Sequence, residues 1–178
     1  SHLIARRVRE LNVFCELYSC QVEASVLGVN NLVGVILSGG PSSVYDPESP
    51  HVSPEVWQLI SERNLPVLGI CYGMQEIAHT FGGAVAPSSE REFGRALVEI
   101  TKEHAQEAAM LFKDVGEGQM WMSHGDKGTQ MPDGFVMIAH TENSEHAAIA
   151  NVEKRIFGLQ FHPEVTHSLK GKDILRNF

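Results

Sequence analysis

Three short stretches hold the residue types that covalent chemistry needs. In VLGICYGMQ (67–75) a cysteine stands where an apolar run stops and a helical pattern starts, and Gly69 and Gly73 flank Cys71 two residues to either side. Strand, sharp turn, nucleophile and helix make an elbow, and glycines at those two places relieve crowding in a tight, strained turn. A thiol at a helix N-terminus meets the positive end of the dipole and free N–H groups, which favour the thiolate. The plainer alternative is a buried cysteine packing as a small hydrophobe at a strand end. Cys15 and Cys20 lack this setting and read as structural.

A thiol nucleophile needs a base, and the base needs an orienter. QFHPEV (160–165) supplies both types. His162 and Glu164 are two apart at the end of an apolar run, so on a strand their side chains leave on one face. Pro163 between them has no N–H to give a ladder and keeps the segment extended. Glu164 can accept from one ring nitrogen while the other faces the thiol, although a His-x-Glu pair alone is often a surface pair. The third stretch is SGGPSS (38–43) after a β-branched run. Its Gly-Gly lets backbone N–H groups face a ligand, which makes half an oxyanion hole, and the N–H of Tyr72 makes the other half. The alternative there is an ordinary Gly-Pro turn. A phosphate-binding loop fits poorly, since neither G-x-G-x-x-G nor a Gly-Lys-Ser/Thr ending is present. His162 and His167 are not joined by the carboxylates or thiols that a metal site needs, so no metal is expected.

These residues need elements to hold them. HLIARRVREL (2–11) has helical apolar spacing and a basic outer face; VFCELY (13–18) has the look of a short strand. LVGVIL (32–37) and LPVLGI (65–70) are apolar strand runs, and SPEVWQLISERN (53–64) is a helix with a serine cap, Pro54 at its first position and Asn64 to close it. YGMQEIAHTFGG (72–83) is a helix stopped by Gly82-Gly83. Alternating buried strand and helix predict a parallel sheet covered on both faces. The second half reads as strands at 95–102, 119–124, 135–141, 147–151 and 155–161, with helices at 105–112 and from 170. Met120, Trp121 and Met122 read as strand and core, and EREFGR (90–95) as a solvated loop that can also face a partner. No domain boundary is visible, so the whole of 1–178 reads as one mixed α/β unit. A doubly wound fold usually opens on a strand, whereas this chain opens on a helix, so a first strand is expected to be missing.

Bulk properties narrow the function. A chain of 178 residues with 43 % hydrophobic content can bury a real core. A net charge of −8 without a basic run argues against a nucleic-acid backbone as partner. No apolar run is long enough for a bilayer, and no signal peptide is visible. Three cysteines without framework spacing suit a reducing, cytoplasmic setting rather than a disulfide scaffold.

In their order along the chain, Gly-Gly-Pro, G-I-C-Y-G-M-Q and F-H-P-E-V resemble the class I (triad) glutamine amidotransferases. ILSGGPSSVYD, VLGICYGMQ, WMSHGDK and GLQFHPEVTHS are similar to the amidotransferase domains that serve GMP synthetases. The resemblance implies a three-layer, flavodoxin-like fold: a mixed, mainly parallel sheet flanked by helices. It implies Cys71 as nucleophile, His162 as general base and acid, and Glu164 as its orienter. Gly40 and Tyr72 would form the oxyanion hole, Gln75 would contact the bound glutamine, and backbone around Ser123, His124 and Gly125 would hold its amino-acid end, with His124 otherwise serving loop geometry. The implied partners are L-glutamine and a synthetase (ATP-pyrophosphatase) domain or subunit. That synthetase would take ATP and Mg²⁺, this domain no cofactor of its own, and its S-G-G-x-D-S loop is absent here. The family usually has a strand and a Phe-Gly-Ser-Gln turn before the first helix. A γ-glutamyl peptidase on the same fold, and a non-catalytic docking module, are the rival readings.

Overall fold

Two four-residue runs, Val67–Ile70 and Ile156–Leu159, lie side by side at the centre of the sheet because every side chain in both is buried. Their residues alternate between two cores. Leu68, Ile70, Phe157 and Leu159 face one apolar cluster, and Val67 and Ile156 face the other. A strand wetted on neither face cannot show a polar alternation, which is why these segments read as continuous apolar runs.

The computed structural model describes residues 1–28 and 31–178, apart from the side chains of Glu90 and His124. Along the chain the elements are α1 (His2–Glu10), α2 (Ala24–Leu27), β1 (Val35–Leu37), α3 (Pro54–Glu62), β2 (Val67–Ile70), α4 (Tyr72–Thr80), β3 (Ala84–Ile100), a 3₁₀ turn (Lys102–His104), α5 (Ala105–Phe112), β4 (Gly118–Gln130), β5 (Val136–His140), β6 (Ala148–Asn151), β7 (Ile156–Leu159) and α6 (Gly171–Asn177). The sheet order is β1-β2-β7-β6-β5-β3-β4. β1, β2 and β7 pair in parallel and the remaining neighbours antiparallel, so five of the seven strands point the same way. Residues of α1, α5 and α6 pack in the cluster on one face, and residues of α3 and α4 in the cluster on the other. That is the expected three-layer mixed architecture. Among the described residues no helix is long and apolar enough to cross a membrane.

Local chemistry sets the helix ends as expected. The Ser53 hydroxyl accepts the Val56 N–H, and Pro54 opens α3. Asn64 takes a left-handed φ of 48°, and Leu65 N–H returns to the Ile60 carbonyl. Gly82, at φ 86°, ends α4 in the same way.

Two expectations need correction. Residues 13–18 form no strand. They and β1 line one cavity of about 1200 Å³, so this segment has no ladder partner, and Phe14 is exposed. Alternation without a neighbouring edge does not make a strand. Residues 90–95 belong to β3, not to a loop. β3 and β4 form a long two-stranded ribbon whose register shifts between Pro87 and Glu92. Most of that ribbon is only half-buried or exposed, so ladder bonds rather than an apolar period define it.

The glycines around the β2–α4 corner permit backbone-to-backbone approach. A methyl group on Gly73 would lie 2.1 Å from the Leu37 carbonyl oxygen, and one on Gly69 would lie 2.5 Å from the Gly73 carbonyl oxygen. Neither neighbour is a flexible side-chain tip, so the strands and helix themselves would have to part. Gly73→Ala is therefore expected to destabilise the protein by about 3 kcal/mol, the upper range for overpacking. Gly118→Ala, with nothing within 4 Å of the added carbon, should stay within about 0.5 kcal/mol of wild type. Urea unfolding of the two variants checks the contrast.

Candidate active site

β2 ends at Ile70, and the chain turns at Cys71 with φ 55° and ψ −106°. That conformation costs a non-glycine residue about 1–3 kcal/mol and persists only where its surroundings fix it. Here the Cys71 N–H donates to the Leu159 carbonyl of β7 at 2.7 Å, and the Cys71 carbonyl accepts from Gln75 N–H at 3.2 Å. Strand pairing continues up to the thiol residue itself, and the helix closes on it from the other side. The side chain is free, buried, and at the N-terminus of α4, where the helix dipole favours negative charge.

His162 reaches the thiol from the far end of the sequence. After β7, the Gln160 N–H bonds to Ala147 and the His162 N–H to the Trp121 carbonyl of β4 at 2.9 Å. His162 Nδ1 lies 2.7 Å from Glu164 Oε1, which assigns the Nδ1 proton to the carboxylate and leaves Nε2 for other partners. Gly39 marks where ring and thiol come together. A methyl group there would stand 3.2 Å from His162 Cε1 and 3.4 Å from Cys71 Cβ. Burial works to lower the His162 pKa, but hydrogen bonds to Cys71 and Glu164 and the Glu164 charge outweigh it, and the pKa is pushed up to about 10. The shift favours the protonated ring, the form able to give a proton to a leaving group. Glu164 is itself buried. Among the described residues its Oε2 has no hydrogen-bond partner, and its backbone carbonyl accepts from Arg7 Nε at 2.9 Å.

The other sequence candidates fall around this pair. Tyr72 is the first residue of α4, where a backbone N–H has no helical partner, and Gly40 follows Gly39 in the loop after β1. Gln75 is buried one turn into α4, and its Oε1 finds no partner among the described residues. The Ser123 carbonyl lies 3.9 Å from Cys71 Sγ. Gly125 is two residues further along β4, beside the Arg91 side chain. The side chain of His124 lies outside the described residues. Among those described, no group of three or more His, Cys, Asp or Glu is placed to hold a metal ion.

Two further residues were not singled out from the sequence. Gln160 is fully buried and its Nε2 is 3.9 Å from Cys71 Sγ. An amide inside the apolar run RIFGLQF is the available clue, since a buried donor demands a partner. The buried Ser168 hydroxyl accepts the Trp121 N–H at 2.9 Å and donates to the His162 carbonyl at 2.5 Å, pinning the His162 loop to β4. Nothing in the local pattern around Ser168 signals this.

The chain has counterparts among known proteins. A family model described as glutamine amidotransferase class-I matches residues 1–178. The chain is 49 % identical over 179 residues to the GMP synthase (glutamine-hydrolyzing) of a Nitratiruptor species, an alignment that covers 100 % of this chain and 34 % of that protein. It is 50 % identical over 179 residues to a protein of the same name from Aliivibrio fischeri, covering 100 % and 33 %. The chain therefore spans about a third of the length of the curated relatives it matches. A crystal structure assigned to a GMP synthase subunit from Thermoplasma acidophilum superposes with a TM-score of 0.80 at 31 % identity, covering 99 % of this chain and 84 % of that one.

The His162 shift has a definite sign. A histidine whose pKa rises on folding contributes stability that is fully present below its ordinary 6.5 and is lost as pH climbs to about 10. Wild type should lose unfolding free energy across that window relative to His162→Gln, as measured by urea unfolding at stepped pH. Parallel curves for the two proteins would show that the ring is not held charged.

Proposed function

The chain belongs to the class-I glutamine amidotransferases, and from that premise we propose that it hydrolyses L-glutamine to glutamate and ammonia for a GMP synthetase. The observation that carries this is the approach of the His162 ring to Cys71 at Gly39, with Nδ1 tied 2.7 Å from Glu164. Cys71 thiolate attacks the side-chain amide carbon. The oxyanion rests on the N–H groups of Gly40 and Tyr72, each worth about 3 kcal/mol in the transition state. The His162 imidazolium gives its proton to the leaving nitrogen, ammonia departs, and a γ-glutamyl thioester remains. The now neutral ring takes a proton from water, hydroxide attacks the thioester, and glutamate leaves with the thiolate and imidazolium restored. Gln75 Oε1, without a partner among the described residues, and the carbonyl of Ser123 are acceptors suited to a substrate amino group, and backbone from Ser123 through His124 to Gly125 holds the amino-acid end.

The relatives support a synthetase partner, and the cofactors are part of the same reading. Proteins named GMP synthase are about three times as long as this chain, while the Thermoplasma structure is nearly matched in length. Ammonia therefore passes to a synthetase part in cis or in trans, where ATP and Mg²⁺ activate XMP for amination. The thiol chemistry on this side requires only the triad and water, in a reducing cytoplasm that keeps Cys71 free.

In the protein together with its synthetase part, whether fused or separate, Cys71→Ser should cut glutamine hydrolysis by at least about a thousandfold, while XMP amination driven by added ammonium persists. Retained glutamine turnover in Cys71→Ser would refute the assignment. Wild-type preference for γ-glutamyl peptides would favour a peptidase, and failure of a glutamine-like chloroketone to label Cys71 would favour a docking module.

A further inference from the structure

Two stretches remain unexplained by the triad: Ser43-Val-Tyr-Asp46 after the Gly-Gly-Pro turn, and Ser123-His-Gly-Asp-Lys127 on β4. They are 80 residues apart in sequence, and the fold joins them through one carboxylate. The Ser43 hydroxyl donates to Asp126 Oδ2 at 2.6 Å, and the Tyr45 hydroxyl donates to Asp126 Oδ1 at 2.9 Å. Both carboxylate oxygens thus accept from one three-residue segment. Val44 between the two donors is buried, which seats that segment.

The loop needs such a hold. Gly40 is exposed, and a methyl group built on it would meet nothing within 4 Å. Gly39 sits against His162 and Cys71, but among the described residues nothing packs where a Gly40 side chain would lie, and a Gly-Gly pair is the most mobile dipeptide available. The nearest fixed points on the C-terminal side are Ser43 and Tyr45. On the other side of the site, Asp126 is three residues beyond Ser123, whose carbonyl lies 3.9 Å from Cys71 Sγ. The connections form a closed ring around the thiol. It runs from Cys71 to Ser123, along β4 to Asp126, across to Ser43, back through Gly40 and Gly39, and to Cys71 again.

We propose that Asp126 is a positioning residue whose clasp on Ser43 and Tyr45 fixes the Gly39–Gly40 backbone against the thiol and sets it in register with the Ser123–Gly125 strand. This inference rests on the proposed glutaminase reading for its kinetic consequence but not for its mechanical one. An acceptor for two hydroxyls at hydrogen-bond distances below 3 Å restrains the loop strongly, because bonds to a charged group are about twice as strong as neutral ones. A small displacement of an oxyanion donor acts on kcat, since that donor works in the transition state.

The test uses the full-length protein, with Asp126→Ala and the double variant Ser43→Ala/Tyr45→Phe. Amide hydrogen exchange at Gly39, Gly40 and Ser42 should quicken at least about tenfold in both, since each variant loses both bonds to the carboxylate. In the same variants kcat for glutamine should fall about tenfold or more, while iodoacetamide alkylates Cys71 at the wild-type rate. Adding Ser43→Ala to Asp126→Ala should cost nothing further, because the shared bond is already gone. Unchanged exchange overturns the clasp, as does faster exchange with kcat within about twofold of wild type, or losses that multiply. If Asp126→Ala does not fold, the double variant, which leaves the carboxylate in place, decides by the same two readouts. Should exchange quicken while the wild-type protein turns over no glutamine, the clasp stands and the glutaminase reading falls.

Discussion

A cysteine backbone held at φ 55° is the constraint on which the rest of the site depends. That geometry is unfavourable for any side chain with a Cβ, and it survives because the cysteine is built into both neighbours. Its N–H completes the β2–β7 ladder, and its carbonyl begins the hydrogen bonding of α4. The close seating of α4 against β1 and β2, made possible by Gly69 and Gly73, keeps the corner from relaxing. Strain at the corner and tight packing around it are two sides of one arrangement. The parallel strands β1, β2 and β7 meet at the same end of the sheet, which is why the Gly-Gly loop, the thiol and the His162 loop all emerge there.

Charge at the site is handled by enclosure. Burial lowers the pKa of the His162 imidazole, yet the hydrogen bonds to Cys71 and Glu164 and the Glu164 charge push it up. The carboxylate is more enclosed than the ring it supports, so its charge is little screened by solvent and falls mainly on His162. Trp121 and Ser168 then fix the backbone that carries the ring, and a methyl group on Gly171 would overlap the Pro163 carbonyl, so α6 packs directly on the His-Pro-Glu turn. The triad side of the site is therefore rigid by packing. The Gly39–Gly40 loop is different: Gly40 is exposed, and just beyond it Ser43 and Tyr45 are tied by polar bonds to Asp126.

Much of this was legible before any coordinates. Buried strand runs, the serine-and-proline start of α3, the glycine stop of α4 and the full span of α5 all follow from local propensity and period. So do the elbow around Cys71 and the His-x-Glu pair, because their signals lie within a few residues of one another. The segment 13–18 misled because its alternation is genuine while its ladder is not, and pairing belongs to the neighbour as much as to the strand. The β3–β4 ribbon was half missed for the opposite reason. Its polar residues hide a strand that is held by backbone bonds to a partner dozens of residues away.

The sequence by itself determined which side chains can react and which local turns can carry them, since a thiol, an imidazole and a carboxylate announce their chemistry and glycines announce tight backbone. Tertiary structure alone decided that Cys71 and His162 approach one another, that Gln160 points at the thiol, that Ser168 anchors the ring's backbone, and that Asp126 holds Ser43 and Tyr45. Each of these is a contact between residues far apart in sequence. Such contacts depend on how strands are ordered and how loops are seated on them, which no local period or propensity encodes.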